Sequence, residues 1–409
     1  MSQIVEGKPE QVGLSSERLA RIRPWMEKYV ADRKLPGLSV AVARRGRTVF
    51  FEKAGLMDVE AKKPVADDTI FRIYSMTKPI TSTAIMMLYE EGRFQLDDPI
   101  SRYLPMFKTM RVFAGGTAET YDTVPAKNEI TFKQLLTHTS GLTYGFIAGT
   151  VVSEIYRNSK FDFQTEEATL PQMMERLVKL PLLAQPGTEW NYSVSTDVLG
   201  ALLETISGIG FDRFLEERIF TPLGMKDTAF RVPEGQAQRF AANYSKAEGG
   251  GYTLIDAAAS SRYLQPRKLC SGGGGLVSTA HDYLRFCKML ARKGELDGVR
   301  ILGRKTVEYM RLNHLNNGGD MAAMGMPRFS ESSYAGIGFG LGFAVAIDPA
   351  KAEVMCSPGE HFWGGAASTA FWIDPQEDLI ALLLTQLMPS SSYPIRRELR
   401  ALVNQALVD

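Results

Sequence analysis

Ser75 stands three residues before Lys78 in the stretch FRIYSMTKPITS, just ahead of the apolar run Ala84-Ile85-Met86-Met87-Leu88-Tyr89. On a helix, positions i and i+3 share a face, so the lysine amine can reach the serine hydroxyl. An aliphatic hydroxyl is a weak nucleophile until a base takes its proton. A lysine becomes that base when burial or neighbouring positive charge brings its pKa toward neutrality. A serine at a helix start also lies near the positive end of the helix dipole. The chemistry these two residues could do is acyl transfer through a serine. A chain of this length holds roughly one S-x-x-K by chance, and the plain alternative is a capping serine beside a solvated lysine. The context weighs against that alternative. A helix apolar nearly all round is a buried helix, and a lysine at its head needs a partner or a function.

Two later stretches belong beside the first: WNYSVSTDVLG, with Tyr192-Ser193, and EHFWGGAAS, with Trp363-Gly364-Gly365. On residue type alone, Tyr192 is a half-buried aromatic with its hydroxyl on backbone and Trp363 a core tryptophan. Their order changes the reading. S-x-x-K, then a tyrosine or serine motif, then a strand motif ending in glycine, is the order of penicillin-binding proteins and serine β-lactamases. The chain resembles that superfamily along most of its length, in LLTHTSGL (135–142), QPGTEWNYS (185–193), GGGGLVSTAHDYLRF (272–286) and FWIDPQED (371–378). More narrowly it resembles the family VIII carboxylesterases, which share the class C β-lactamase fold and often carry Trp-Gly-Gly where β-lactamases usually carry Lys-Thr-Gly.

That resemblance implies a serine hydrolase without cofactor or metal, acting on a small-molecule ester, with Ser75 as nucleophile and Lys78 and Tyr192 as base and acid. Two proton routes stay open. Tyr192, its pKa lowered by the nearby lysine, relays the Ser75 proton to the leaving alkoxide, or neutral Lys78 takes it directly. The developing oxyanion would be held by the backbone N–H groups of Ser75 and Ala366. Gly364 and Gly365 would let the strand approach the substrate, and Trp363 would line the acyl or alcohol pocket. His361 either touches the site or sits on an exposed loop.

The departures favour neutral short-chain esters, with weak β-lactam hydrolysis at most. Where β-lactamases read Y-x-N, this chain reads Tyr192-Ser193-Val194, and the third motif has lost its cation, so a substrate carboxylate loses an anchor. A literal Y-x-N at Tyr156-Arg157-Asn158 lacks the Pro-Gly lead-in, reads as a surface helix end, and is taken as a decoy. β-Lactamase, D-amino-acid peptidase or amidase, and Ser-Lys acyltransferase activities stay open, as does a non-catalytic scaffold. The absence of any G-x-S-x-G elbow disfavours a Ser-His-Asp hydrolase.

The elements that must position these residues read as α/β. Ser16 opens a helix with Leu19, Ile22, Met26 and Tyr29 on one stripe. Leu38 to Ala43 and Thr48 to Ala54 flank a hairpin turn at Arg44-Arg45-Gly46-Arg47. Thr131 caps a helix through Leu136, and Leu199, Leu202, Leu203 and Ile206 recur at helical spacing. Strands return at Gly340 to Ile347, Ala367 to Ile373 and Leu379 to Gln386, the last two joined at Asp374-Pro375-Gln376. Ile395 to Val408 closes the chain as a helix with Leu399, Leu402 and Ala406 inward. Gly272 to Gly275 is a close-approach segment before a helix capped by Thr279, with Asp282 completing a box-like cap.

Together these give the β-lactamase and penicillin-binding-protein-like architecture. Residues 1–95 and 270–409 form an antiparallel sheet with flanking helices, 96–269 a mostly helical lobe, and the site lies between them. The loops 108–130 and 315–336 are either a lid or surface excursions.

Composition sets the outer limits. The chain has 409 residues, 44% hydrophobic and 23% charged, with 47 basic against 46 acidic residues. That near-neutral balance gives no basic face for nucleic acid and no polybasic arm for a membrane. The opening MSQIVEGKPEQVG has no apolar segment and no apolar run approaches 18 residues, so a cytoplasmic protein is expected. Three scattered cysteines make no disulfide framework, and the four histidines, none paired at metal spacing, make no zinc site.

Overall fold

The long apolar strands have no polar alternation because the sheet they form is covered on both faces. In the computed structural model, which describes residues 4–163, 167–325 and 334–409, eight strands make one antiparallel sheet. Its order is Ile337–Phe339, Ala344–Ala346, His361–Gly364, Ala370–Asp374, Leu379–Thr385, Gly37–Arg44, Arg47–Asp58, Lys63–Pro64. Gly37–Arg44 is the central link, with Val40 opposite Leu383 on one side and Glu52 on the other. Leu38, Val40 and Val42 face the terminal helices, where they pack with Ile22, Met26 and Leu399. Ala41 and Ala43 point the other way, into the larger core that holds the Ser75 helix.

The first helix keeps its predicted stripe but is split into Ser16–Leu19 and Ile22–Ala31, with Ser15 as the capping residue. Thr131 and Gln134 form a capping box on Phe132–Leu136, as the spacing predicts. Thr279 caps Ala280–Ala291. Asp282 does not close that box. Its carboxylate accepts from the Asp227 N–H at 2.7 Å and the Thr228 hydroxyl at 3.0 Å, tying the helix to the neighbouring loop.

Three boundaries differ from the sequence reading. Gly340 to Ile347 is not one strand: Ile337–Phe339 and Ala344–Ala346 are joined by a turn in which Gly342 adopts φ 108° against Ser82. Only glycine is comfortable there. The strand expected from Ala367 starts at Ala370, because residues 366–368 turn and Ser368 takes φ 68°. The closing helix ends at Asn404, and Val403 rather than Leu402 faces inward.

The stretch 96–269 carries the helices Val151–Asn158, Leu170–Leu177 and Ser195–Ser207 together with two hairpins. One, Arg111–Gly116 with Tyr121–Pro125, occupies the loop 108–130. The other, Asn243–Lys246 with Tyr252–Asp256, pairs in parallel with Leu387–Met388 and so ties this stretch to the main sheet. Of the loop 315–336, Met321–Met324 is a helical turn, and residues 326–333 lie outside the described residues. Among the described residues no helix is long and apolar enough to cross a membrane.

Candidate active site

Ser75 is delivered by a short, heavily anchored approach. Phe71–Arg72 pairs with Val277–Ser278, and the fully buried Arg72 guanidinium forms an ion pair with Asp256 and donates to Ser261 Oγ at 3.1 Å. Tyr74 then takes φ 43°, a left-handed conformation that a bulky residue holds only when its surroundings impose it. Its hydroxyl accepts from Asn243 Nδ2 at 2.9 Å. The resulting bend places Ser75 in the turn Tyr74–Met76, directly ahead of the buried helix Thr77–Glu90 that carries Lys78.

Ser75, Lys78 and Tyr192 converge. The Tyr192 hydroxyl donates to Ser75 Oγ at 2.6 Å, and Lys78 Nζ donates to the same oxygen at 3.2 Å and to the Gly273 carbonyl at 2.6 Å. Lys78 is 1% exposed and lies 4.6 Å from the Tyr192 ring centroid. Burial lowers its pKa to about 7, against the opposing pull of Asp197. Burial also raises Asp197 to about 6, with Lys78, Ser271 and the Gly273 N–H holding it down. Asp197 Oδ1 accepts from the Ser271 hydroxyl at 2.6 Å and from the Gly273 N–H at 3.0 Å. Gly273 therefore has the lysine on its carbonyl and the carboxylate on its amide, with no room for a Cβ, which would lie 2.5 Å from Asp197 Oδ2.

One expectation is corrected here. One of the two proton routes left open has the lysine lowering the pKa of Tyr192. Instead burial raises it, outweighing the bond to Ser75. The desolvated amine, and not the phenol, is the group brought near neutrality.

LLTHTSGL packs beneath this constellation. The His138 ring lies 5.1 Å from that of Tyr192, with Nδ1 3.0 Å from Ser193 Oγ. A run of hydroxyls from Ser193 through Ser195 to Ser140, each step 2.8 Å, locks the tyrosine loop to that segment.

The third motif completes one wall. Trp363 sits in His361–Gly364 with its ring 5.5 Å from that of Tyr192. Ser75 and Ala366 both line the cavity beside it, together with Tyr192, Ile337 and Phe362. Among the described residues neither the Ser75 nor the Ala366 N–H has a hydrogen-bond acceptor. A second cavity also reaches Ser75 and Ala366 and is lined by Tyr144, Phe146, Phe161, Phe163 and Val194, so Val194 supplies an apolar wall there. Gly364 and Gly365 line the same cavity as Trp363, and both also make close approaches within the protein. A Cβ on Gly365 would fall on Ile73 O and Thr369 Oγ1, and one on Gly364 would meet the Arg396 guanidinium.

His361 is neither exposed nor in a loop. It is 1% exposed in its strand, packed on Phe343 at 5.0 Å. The decoy tyrosine, Tyr156, does end a helix, Val151–Asn158, but it is wholly buried rather than on the surface, and among the described residues its hydroxyl has no hydrogen-bond partner.

Residues 22–405, which include Ser75, Lys78 and Tyr192, match the family model described as Beta-lactamase. The chain belongs to the beta-lactamase family. It is 37% identical over 362 residues to an uncharacterized protein of Mycobacterium tuberculosis, covering 88% of this chain and 87% of that one. It is 31% identical over 383 residues to Esterase EstB of Burkholderia gladioli, covering 90% of each. Among solved structures, EstCE1, described as a hydrolase with promiscuous acyltransferase activity, superposes with TM-score 0.79 at 28% identity, over 96% of this chain and 99% of its own. The fold is that of the β-lactamases and penicillin-binding proteins, and the protein is a serine-hydrolase enzyme of this superfamily that resembles its esterases.

Sequence reasoning missed Asp197, Gly273, Asn243 and Arg396. Asp197 left the faintest trace, an acidic residue in the first turn of an otherwise apolar helix, which reads equally as a dipole partner. Gly273 lay inside a segment marked for close approach, without its partners. Asn243 and Arg396 carried no local signal.

Proposed function

We propose that the protein hydrolyses short-chain carboxylic esters through an acyl-enzyme on Ser75. The observation that carries this reading is the convergence on Ser75 Oγ of the buried Lys78 amine at 3.2 Å, its pKa lowered by that burial, and the Tyr192 hydroxyl at 2.6 Å. Neutral Lys78 takes the Ser75 proton as Oγ attacks the ester carbonyl, and the oxyanion forms against the N–H groups of Ser75 and Ala366. Tyr192, kept protonated by burial, gives its proton to the departing alkoxide and recovers one from the Lys78 ammonium. Water then attacks the acyl carbon, its proton passes to the same pair, and Ser75 leaves reprotonated. The depressed lysine and raised tyrosine support Lys78 as the first base.

Val194 and Trp363 support neutral esters over β-lactams, since neither supplies the amide or the cation that a β-lactam side chain and carboxylate would use. A small-molecule ester is the only partner this reading needs, and a cytoplasmic setting fits three free thiols and a net charge of +1. The second cavity beside Ser75 and the printed description of EstCE1 support acyl transfer to an alcohol as the alternative.

The test compares kcat/KM for p-nitrophenyl butyrate and a chromogenic cephalosporin, with Ser75→Ala as control. Ester turnover far above cephalosporin turnover, lost in the control, is the expected result, and the reverse overturns it. Adding a primary alcohol and measuring new ester against free acid separates transferase from hydrolase.

A further inference from the structure

We propose that Arg396, on the closing helix Ile395–Asn404, is a positioning residue for the oxyanion hole, holding the carbonyl end of the peptide whose N–H end at Ala366 meets the reacting oxygen. The proposal rests on the esterase reading above and adds to it a residue far from the three motifs.

Arg396 Nη2 donates to Gly365 O at 3.2 Å and to Thr369 O at 3.0 Å. The Gly365 carbonyl and the Ala366 N–H belong to one planar peptide unit, in which C=O and N–H point in opposite directions. Fixing the oxygen therefore fixes the direction of the N–H. A hydrogen bond from a cation also draws electron density toward the carbonyl oxygen and strengthens the N–H as a donor. Thr369 O in turn accepts from the Gly365 N–H at 2.9 Å, so the guanidinium clamps both ends of the turn that presents Ala366.

The two glycines of Trp-Gly-Gly then have separate tasks. Gly364 leaves room for the guanidinium, because its Cβ would lie 2.5 Å from Arg396 Nη2 and 2.6 Å from Cζ. Gly365 leaves room for Ile73 O, two residues before Ser75, and Ser75 and Ala366 line one cavity. Structural demand alone does not explain the arginine, since Gly365 O already accepts from the Ser368 N–H at 3.0 Å. The guanidinium adds a field aimed along the peptide, and that field matters most when the ester oxygen carries full negative charge. Its effect belongs in kcat rather than KM.

The experiment measures kcat and KM for p-nitrophenyl butyrate, and the inhibition constant of phenylboronic acid, whose adduct on Ser75 places a tetrahedral oxygen in the same hole. Wild type, Arg396→Lys, Arg396→Ala and Gly364→Ala are compared. Deleting a whole oxyanion donor costs about 10²–10³ in kcat. Here the donor stays and only its support goes, so Arg396→Ala should lose about tenfold or more in kcat with KM within about twofold, a smaller loss than that benchmark. The boronate constant should rise by the same factor, Arg396→Lys should recover part of the rate, and free guanidinium should restore part of it in Arg396→Ala.

If Arg396→Ala does not fold, Arg396→Lys carries the test with the same split in a smaller loss, beside Gly364→Ala, whose Cβ would press on the guanidinium and on the Thr369 carbonyl it bonds. A kcat within twofold of wild type, a loss confined to KM, or an unchanged boronate constant overturns the proposal. Wild-type turnover of p-nitrophenyl butyrate, lost in Ser75→Ala, separates this failure from failure of the esterase reading. Stoichiometric labelling of Ser75 by a fluorophosphonate in every variant shows that the nucleophile itself is intact.

Discussion

Asp197→Asn tests the electrostatics at the centre of the site. The substitution keeps the shape of the side chain and one carbonyl oxygen, which can still accept from the Ser271 hydroxyl and the Gly273 N–H, but it removes the negative charge. In the wild type that charge raises the Lys78 pKa against the burial that lowers it to about 7. An opposite charge this close shifts a pKa by about 1–3 units. Without it the ammonium loses support, and the lysine pKa falls by about one unit or more.

The base works as the neutral amine, so activity rises with pH through the Lys78 pKa, and a lower pKa moves the acid limb to lower pH. A one-unit fall is worth at most about tenfold in the share of neutral lysine on the acid limb. The gain of the variant, relative to its own plateau, should be largest between about pH 6 and 7 and shrink below that, where Asp197 itself is protonated in the wild type. The assay is kcat/KM for p-nitrophenyl butyrate between pH 5 and 9, read at the isosbestic wavelength of the product. An acid limb that stays put, or that moves to higher pH, refutes the assignment of Lys78 as the titrating base under the influence of Asp197.

Tyr192→Phe should lower kcat/KM by about 10²–10⁴, the usual worth of a positioned acid–base group. Near-normal turnover in stopped-flow assays would remove Tyr192 from the mechanism. Lys78→Met should be inactive yet more stable. The unfolded chain binds a proton at this residue up to the ordinary value of 10.5 while the folded one releases it at about 7, so stability is lost as pH falls from 10.5 to about 7. At neutral pH the buried amine therefore costs a few kcal/mol, at about 1.4 kcal/mol per unit. Urea midpoints should favour Lys78→Met at pH 7 and converge near pH 10, and a less stable variant at pH 7 would contradict the burial argument. Gly365→Ala forces a methyl group onto Ile73 O and Thr369 Oγ1 and should lower kcat by about 10² or more by parting the two oxyanion donors. Full kcat in this variant would show that the close approach is not needed.

Local chemistry in the chain determined a good deal. The three-residue spacing of Ser75 and Lys78 on a buried helix, the caps at Thr131 and Thr279, the hairpin around Arg45-Gly46 and the apolar strands of a sheet covered on both faces follow from short-range geometry and hydrophobic pattern. Strand ends were less legible. The breaks at Gly342 and Ser368 depend on how the chain must turn against Ser82 and Leu387. Tyr192 was visible only as part of a motif order, because its distance from Ser75 is set by the packing of the Ser193, Ser195 and Ser140 hydroxyls.

Tertiary structure alone decided the electrostatics. Desolvation of Lys78 arises from the volume packed around it, and its pull toward Asp197 passes across Gly273, from a third part of the chain. The carbonyl end of the Gly365–Ala366 peptide is bonded by Arg396, on a helix that begins after the last strand has ended. A sequence records which groups exist. A pKa, or the direction of an N–H, depends on which of them the fold brings within a few ångströms and shields from water.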